Sequence, residues 1–351
     1  MIQTIKKILL NKAMTPQNKL LKKECLPTFV ETLVKGGKLL YAPTKENERI
    51  EFKLIENFSE IYLDYIQTTK SIKSIVFPPI EKLFEYVADK EHVEIKDVNL
   101  NTIPETIVFG AHPCDAASFK VLNAVFTWDC NDEFFLTRKD KTTVIGLSCK
   151  NHDDYCFCTS VDLNPGSTEG SDILLTRIEN DNYLAEIMTE KGEAVYKLVK
   201  NLFEPAPQVD KNAFVTQLPK LFDLNDLRGK LSFEGLSWMQ QSLRCLSCGT
   251  CAYVCPTCSC FDIQDIGNQT KGKRVRIWDT CALPQFTLHT SGHNPRHFQN
   301  ERWRQRIMHK FSYEPERLHV YGCVGCGRCS RACPVNINIL ENLIEISGGN
   351  K

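Results

Sequence analysis

One twelve-residue pattern occurs twice in this chain and constrains it more than any other feature. CLSCGTCAYVCP at Cys245–Pro256 and CVGCGRCSRACP at Cys323–Pro334 both read C-x2-C-x2-C-x3-C-P. That spacing is the bacterial-type [4Fe-4S] ferredoxin run. Cysteines at i, i+3 and i+6 lie on one tight loop able to cover three corners of an iron–sulfur cube. Gly249, Gly325 and Gly327 allow backbone N–H groups to approach the sulfurs. The fourth cysteine points away and serves the other cluster, and the proline after it stops the preceding conformation from continuing. The expected ligand sets are therefore crossed: Cys245, Cys248, Cys251 and Cys333 for one cluster, and Cys323, Cys326, Cys329 and Cys255 for the other. Two zinc sites are the rival reading, but zinc usually takes two separated pairs, which a doubled run of this kind fits less well.

The chain holds 17 cysteines in 351 residues, an odd number and too dilute for a small disulfide scaffold. The N-terminal MIQTIKKILLNKAM has too short an apolar stretch for a secretory signal and lacks a small-residue cleavage site. No apolar run reaches 18 residues, so no membrane span is expected. The expected compartment is the reducing cytoplasm, where clustered cysteines read as metal ligands. Hydrophobic residues at 42% and charged residues at 25% exclude disorder as the default.

The formal net charge of zero hides two segments of opposite sign. Residues 244–351 carry 14 Lys/Arg against 8 Asp/Glu, and the remainder carries 29 against 35. A balanced total argues against a general polyanion binder. Two clusters, each about −2 with its four thiolates, would offset much of the C-terminal excess. Part of that excess is expected to be an ordinary solvated basic face.

The first segment reads as α/β or α+β over residues 1–228, followed by a second domain at 229–351. Ile75-Val76-Phe77 reads as a strand stopped by Pro78-Pro79, and Ile80, Leu83, Phe84 and Val87 follow a helical spacing. Thr106–Phe109 and Thr143–Leu147 read as buried strands, each ending in a cysteine loop. FEPAPQVDKN, residues 203–212, reads as a boundary zone. In the second segment Leu236, Met239 and Leu243, and later Leu340, Leu343 and Ile344, share helical faces. Between the motifs, Trp303, Ile307, Met308 and Phe311 have helical spacing. This stretch resembles the α-helical ferredoxin module, in which helices separate two cysteine motifs.

Two loops supply four further cysteines: Cys114 in HPCD, and Cys149, Cys156 and Cys158 in SCKNHDDYCFC. Loops at strand ends can face one another at one edge of an α/β sheet. A third cluster, a zinc ion and plain packing of small hydrophobic thiols are all open for these four. Cys258, Cys260 and Cys281 lack an obvious fourth ligand and read as packing, as do the isolated Cys25 and Cys130. His289, His293 and His297 are four apart, but Gly292 and Pro295 interrupt a helix there. The chain has no GxGxxG, no GxxxxGK[ST], no HExxH and no C-x-x-C-H. No catalytic residue is expected.

The set GAHPCDAASFKVL, CFCTSVDLNPGSTEGSD, LRCLSCGTCAYVCPTCSCFD, WDTCALPQF and HKFSYEPERLHVYGCVGCGRCSRACPVNI resembles one family. It is the iron–sulfur subunit shared by cytoplasmic sulfhydrogenases, as their β subunit, and anaerobic sulfite reductases, as their A subunit. The resemblance runs from about Phe77 to about Ile346. It implies an electron-transfer subunit that works beside a flavin- and NAD(P)-binding subunit and a separate catalytic subunit. It also favours a metal site at Cys114, Cys149, Cys156 and Cys158. Two other readings stand beside it: a subunit with its own flavin or deazaflavin, and a structural or sensing iron–sulfur protein.

Overall fold

The computed structural model describes residues 16–349 apart from 90 and 236. The N-terminal stretch read above for a leader, and Leu236, lie outside the described residues.

Among the described residues, twelve strands form two sheets. The larger has the order β10-β1-β9-β8-β7-β6-β2-β3. Its strands are β1 (Gln17–Leu21), β2 (Leu39–Glu46), β3 (Arg49–Leu54), β6 (Thr106–Ala111), β7 (Thr142–Leu147), β8 (Ile173–Arg177), β9 (Tyr183–Ile187) and β10 (Phe203–Pro205). The central pairs β2–β6, β6–β7 and β7–β8 are parallel, and the flanking pairs are antiparallel. Alternation along β6 shows why the sheet is buried on both faces. Ile107 and Phe109 enter a core with Phe29, Val30 and Leu33 of helix α1 (Leu26–Lys35). Val108 and Ala111 enter another with Phe119 and Leu122 of α2 (Pro113–Phe126) and Phe135 of α3 (Glu133–Asp140). Successive side chains of a strand point to opposite faces, so a run apolar at every position needs cover on both. Helix α4 (Glu190–Leu198) adds Val195 and Tyr196 to the first core.

The two strands read from sequence as ending in cysteine loops are neighbours in this sheet, β6 and β7, and run parallel. Both loops therefore leave the same carboxyl edge, where open α/β sheets place their sites. The FEPAP stretch differs from expectation. Its first three residues form β10, which pairs with β1 through Lys19↔Pro205 and Leu21↔Phe203 and closes the sheet.

The smaller sheet, β11-β12-β4-β5, is antiparallel throughout. It joins β4 (Ile80–Ala88) and β5 (Val93–Asp97) to β11 (Phe261–Gly267) and β12 (Lys271–Trp278). It corrects two expectations. Ile80–Val87 is a strand, not a helix; apolar residues at i, i+3, i+4 and i+7 satisfy both periods imperfectly, and a partner almost 200 residues away decides. Ile75–Phe77 is no strand. Lys73–Val76 is a single helical turn, with Val76 and Phe77 buried against α2.

The C-terminal residues pack helices around a third core. Trp303, Ile307 and Met308 on α5 (Gln299–Met308), Phe311 on the following π-turn, and Leu340, Leu343 and Ile344 on α6 (Ile339–Ser347) are buried together. The segment between the motifs is thus helical only in its second half, since the β11–β12 hairpin occupies the first. Met239 and Leu243 do not form a packed face: they are 62% and 75% exposed, and Trp238 and Ser242 are the buried residues of that turn. Phe157, Val161, Phe222 and Leu227 join this core from the preceding part of the chain.

Candidate metal centres

Each cysteine motif opens on a loop and continues into one helical turn, Thr250–Tyr253 in the first and Arg328–Arg331 in the second. Gly249 and Gly327 cap these turns with φ of +73° and +68°. A side chain at Gly249 would be strained in this conformation and would also meet Thr280.

The first motif and the end of the second face one space. Cys245, Cys248, Cys251, Cys329 and Cys333 line a cavity with Trp303, Val335, Ile337 and Ile339. Gln299 Nε2 donates to Cys245 Sγ at 2.9 Å, and the Ile337 backbone N–H donates to Cys333 Sγ at 3.2 Å. Such N–H···S bonds are a means by which a protein sets the potential of a cluster.

The second group gathers around Cys255. Lys310 Nζ lies 3.5 Å from its sulfur and 2.6 Å from the Gly322 carbonyl, while the Gly325 N–H points at Cys323 Sγ. Burial pushes Cys323 up to about 12 and Cys326 up to about 11. Thiols held this way stay protonated until a metal displaces the proton.

The third group is the one that sequence left open. Cys114, Cys149, Cys156 and Cys158 line a single cavity together with Cys326. Cys114 begins α2 directly after β6, and Cys149 follows β7. The CFC loop is held by the Phe157 N–H to the Gly325 carbonyl at 2.9 Å. A Cβ on Gly325 would fall 2.5 Å from Cys158 Cα, so this glycine permits the two loops to touch. Gln67 Nε2 donates to Cys114 Sγ at 3.4 Å and to the Cys326 carbonyl at 3.3 Å. Arg331 Nη2 lies 3.3 Å from Cys156 Sγ and pairs with Asp153. His112 is structural: it stacks on Tyr65 and spans the Leu147 and Tyr65 carbonyls.

The three groups form a series. Cys329 borders the first cavity and Cys326 the third, although both belong to the second motif. Among the described residues no three or more His, Cys, Asp or Glu side chains are gathered as a single-ion site. In the first and third groups the thiols instead line cavities, as a four-iron cube requires of its ligands. Buried cations complete the fit. Arg306, Lys310 and Arg328 are each under 5% exposed, and Arg306 Nε and Arg328 Nη1 have no hydrogen-bond partner among the described residues. Desolvated guanidinium and ammonium groups need anionic neighbours, which cysteine-ligated clusters supply.

The sequence signalled Arg328 and Arg331 only as motif residues. Gln67, Gln299, Arg306 and Lys310 carried no signal, being single polar residues without spacing. Cys258, Cys260 and Cys281 line a different and larger cavity. His289, His293 and His297 lie on an exposed loop and share no helical face.

Residues 244–337 match a 4Fe-4S dicluster domain. The chain is 29% identical over 340 residues to sulfhydrogenase 2 subunit beta of Pyrococcus furiosus, an alignment covering 93% of this chain and 97% of the relative. No solved structure matches it. No helix among the described residues is long and apolar enough to cross a membrane. The dicluster domain and the likeness along nearly the whole chain support one family for this protein, that of the 4Fe-4S electron-transfer subunits.

Proposed function

We propose that the protein is the electron-relay subunit of a cytoplasmic multi-subunit oxidoreductase of hydrogenase or sulfite reductase type. Its residues 229–351 hold two [4Fe-4S] clusters with crossed ligation, following an α/β domain at 1–228. Cys245, Cys248, Cys251 and Cys333 hold the first cluster, and Cys323, Cys326, Cys329 and Cys255 the second. Cys114, Cys149, Cys156 and Cys158 hold a third. When bound, the clusters accept and release single electrons. The chain contributes thiolate ligation, N–H···S bonds from Gln299, Ile337 and Gly325, and a buried cationic surround that keeps the reduced forms accessible.

The observation that carries this reading is that the second cysteine motif reaches both of the other thiol-lined cavities. Cys329 lines the cavity of the first motif and Cys326 that of the N-terminal cysteines, so the second motif stands between the two, and three clusters would stand in a row. A flavin- and NAD(P)-binding subunit at one end and a catalytic subunit at the other would be joined by that row. The smaller sheet offers exposed apolar surface for docking: Ile80, Val87, Val93 and Ile95 are each at least 59% exposed, with Val87 on one face and Val93 and Ile95 on the other.

Metal analysis of anaerobically reconstituted protein tests the count. About twelve irons per chain is expected, from three four-iron clusters. About eight irons with one zinc would make the third group a structural zinc site, and about eight with no zinc would return it to packing. The pure chain is also expected to show no sustained oxidation of NAD(P)H, because no hydride-accepting site is proposed for it. Steady turnover without added subunits would transfer a flavin site to this chain.

A further inference from the structure

We propose that Cys260 and Cys281 form a reversible dithiol–disulfide pair that exchanges with small anionic disulfides admitted to the cavity beside them. That cavity holds about 510 Å³. Arg296, Arg306, Lys310 and Arg317 line it, and Glu314 is the only carboxylate among its lining residues. Its chemistry therefore selects an anion, and its thiols select a sulfur electrophile.

The β11–β12 hairpin holds the pair in register. Cys260 precedes the Phe261↔Trp278 rung, and the Asp279 N–H donates to the Cys260 carbonyl at 3.0 Å. The chain then turns through Thr280, which brings Cys281 back so that its sulfur accepts the Cys260 S–H. Both residues are half-buried, within reach of a molecule in the cavity. The two thiols are unlike. The Cys260 hydrogen bond, with Arg306, Lys310 and Arg296 beyond it, lowers Cys281 to about 6, whereas Cys260 is pushed well above the ordinary thiol range. The acceptor is thus the readier thiolate and the donor the proton-bearing resolving thiol, the division of labour that exchange requires.

The steps balance as follows. The Cys281 thiolate attacks one sulfur of R–S–S–R, forming Cys281–S–S–R and releasing RS⁻, which takes a proton from water. Cys260 then gives up its proton and attacks the Cys281 sulfur, forming the Cys260–Cys281 bond and releasing the second thiol. The small disulfide has gained two electrons and the protein pair has lost two. Return of the pair to two thiols takes two electrons and two protons, and for the electrons it rests on the relay proposed above.

Oxidised glutathione is the probe. Reconstituted, reduced protein is mixed with it anaerobically, alkylated, digested and analysed by mass spectrometry. The wild type is expected to give a peptide linked between Cys260 and Cys281. Cys260→Ser is expected to stop at a glutathione adduct on Cys281, and Cys281→Ser to give neither product. Absence of the linkage, or an adduct on Cys260 in preference to Cys281, overturns the proposal. Loss of iron or zinc in Cys281→Ser also overturns it, since the thiols would then be ligands. In a second arm the clusters are reduced, excess reductant is removed, and oxidised glutathione is added. Recovery of visible absorbance in the wild type but not in Cys281→Ser is expected, and equal recovery in both overturns the coupling. Clusters that cannot be reduced at all would sink the relay reading, and the linkage arm would still decide the pair.

Discussion

Replacing Cys333 with alanine will remove the cluster held by Cys245, Cys248 and Cys251, not the one nearest in sequence. Iron should fall by about four atoms per chain, roughly from twelve to eight. The expectation runs against the order of the chain, because Cys333 follows Cys329 by four residues and the first motif lies some eighty residues upstream. It rests on where the sulfur points. Cys333 lines the same cavity as the three cysteines of the first motif, with the Ile337 N–H closing on it from behind. Cysteine-to-serine replacement can leave an oxygen ligand in place, so alanine is the decisive variant and serine a milder companion. Electron paramagnetic resonance of the reduced protein separates the outcomes. Cys333→Ala should lose the same signal as Cys248→Ala and keep the signal lost in Cys323→Ala. Loss of the Cys323 signal instead would mean each motif supplies all four ligands of its own cluster.

How far such a site can be read in advance depends on whether its signal is local. The doubled motif is local, and its spacing names the cofactor before any fold is known. Thr106–Ala111 and Thr142–Leu147 were also legible, because an all-apolar run bounded by turn residues has few other solutions. Their adjacency brought Cys114 to Cys149, and adjacency is a long-range fact that no spacing encodes. Ile80–Ala88 was illegible for a related reason. Its backbone pairs with a strand at 271–278, and its one buried charge, Glu81, pairs with Arg276 of that strand and with Arg138. The buried cations were hidden differently. Arg306 and Lys310 stand in one basic stretch with the half-buried Arg304 and the exposed Arg317, and only packing distinguishes a guanidinium beside thiols from one in water.

The most consequential of these cations is Arg328. Its side chain is about 1% exposed, and it pairs at 2.6 Å with Asp115, which is fully buried at the start of α2. It also donates to the Thr68 carbonyl at 2.9 Å and to the Thr68 hydroxyl at 2.7 Å. The pair thus ties the helix bearing Cys114 to the turn bearing Cys326 and Cys329. Arg328→Met leaves a buried carboxylate without its cation, and Asp115→Asn leaves the guanidinium without its anion. Each should cost about 3–5 kcal/mol, because breaking one partner of a buried pair strands the other. Combining Arg328→Met with Asp115→Leu should recover much of that loss, since neither charge is then left alone. A double-mutant cycle closed with the Asp115→Leu single variant, on thermal unfolding of the iron-loaded protein, measures this, and additive losses would show that the two groups do not act as a pair. The same variants carry an electrical signature that loosened packing would not. Removing the cation beside Cys326 and Cys114 disfavours the added electron, so Arg328→Met should lower the potential of the neighbouring clusters. Asp115→Asn removes a nearby anion and should raise it. Shifts of opposite sign in two equally destabilised variants would place Arg328 within the field that the clusters feel, and shifts of the same sign would reduce its role to holding the two loops together.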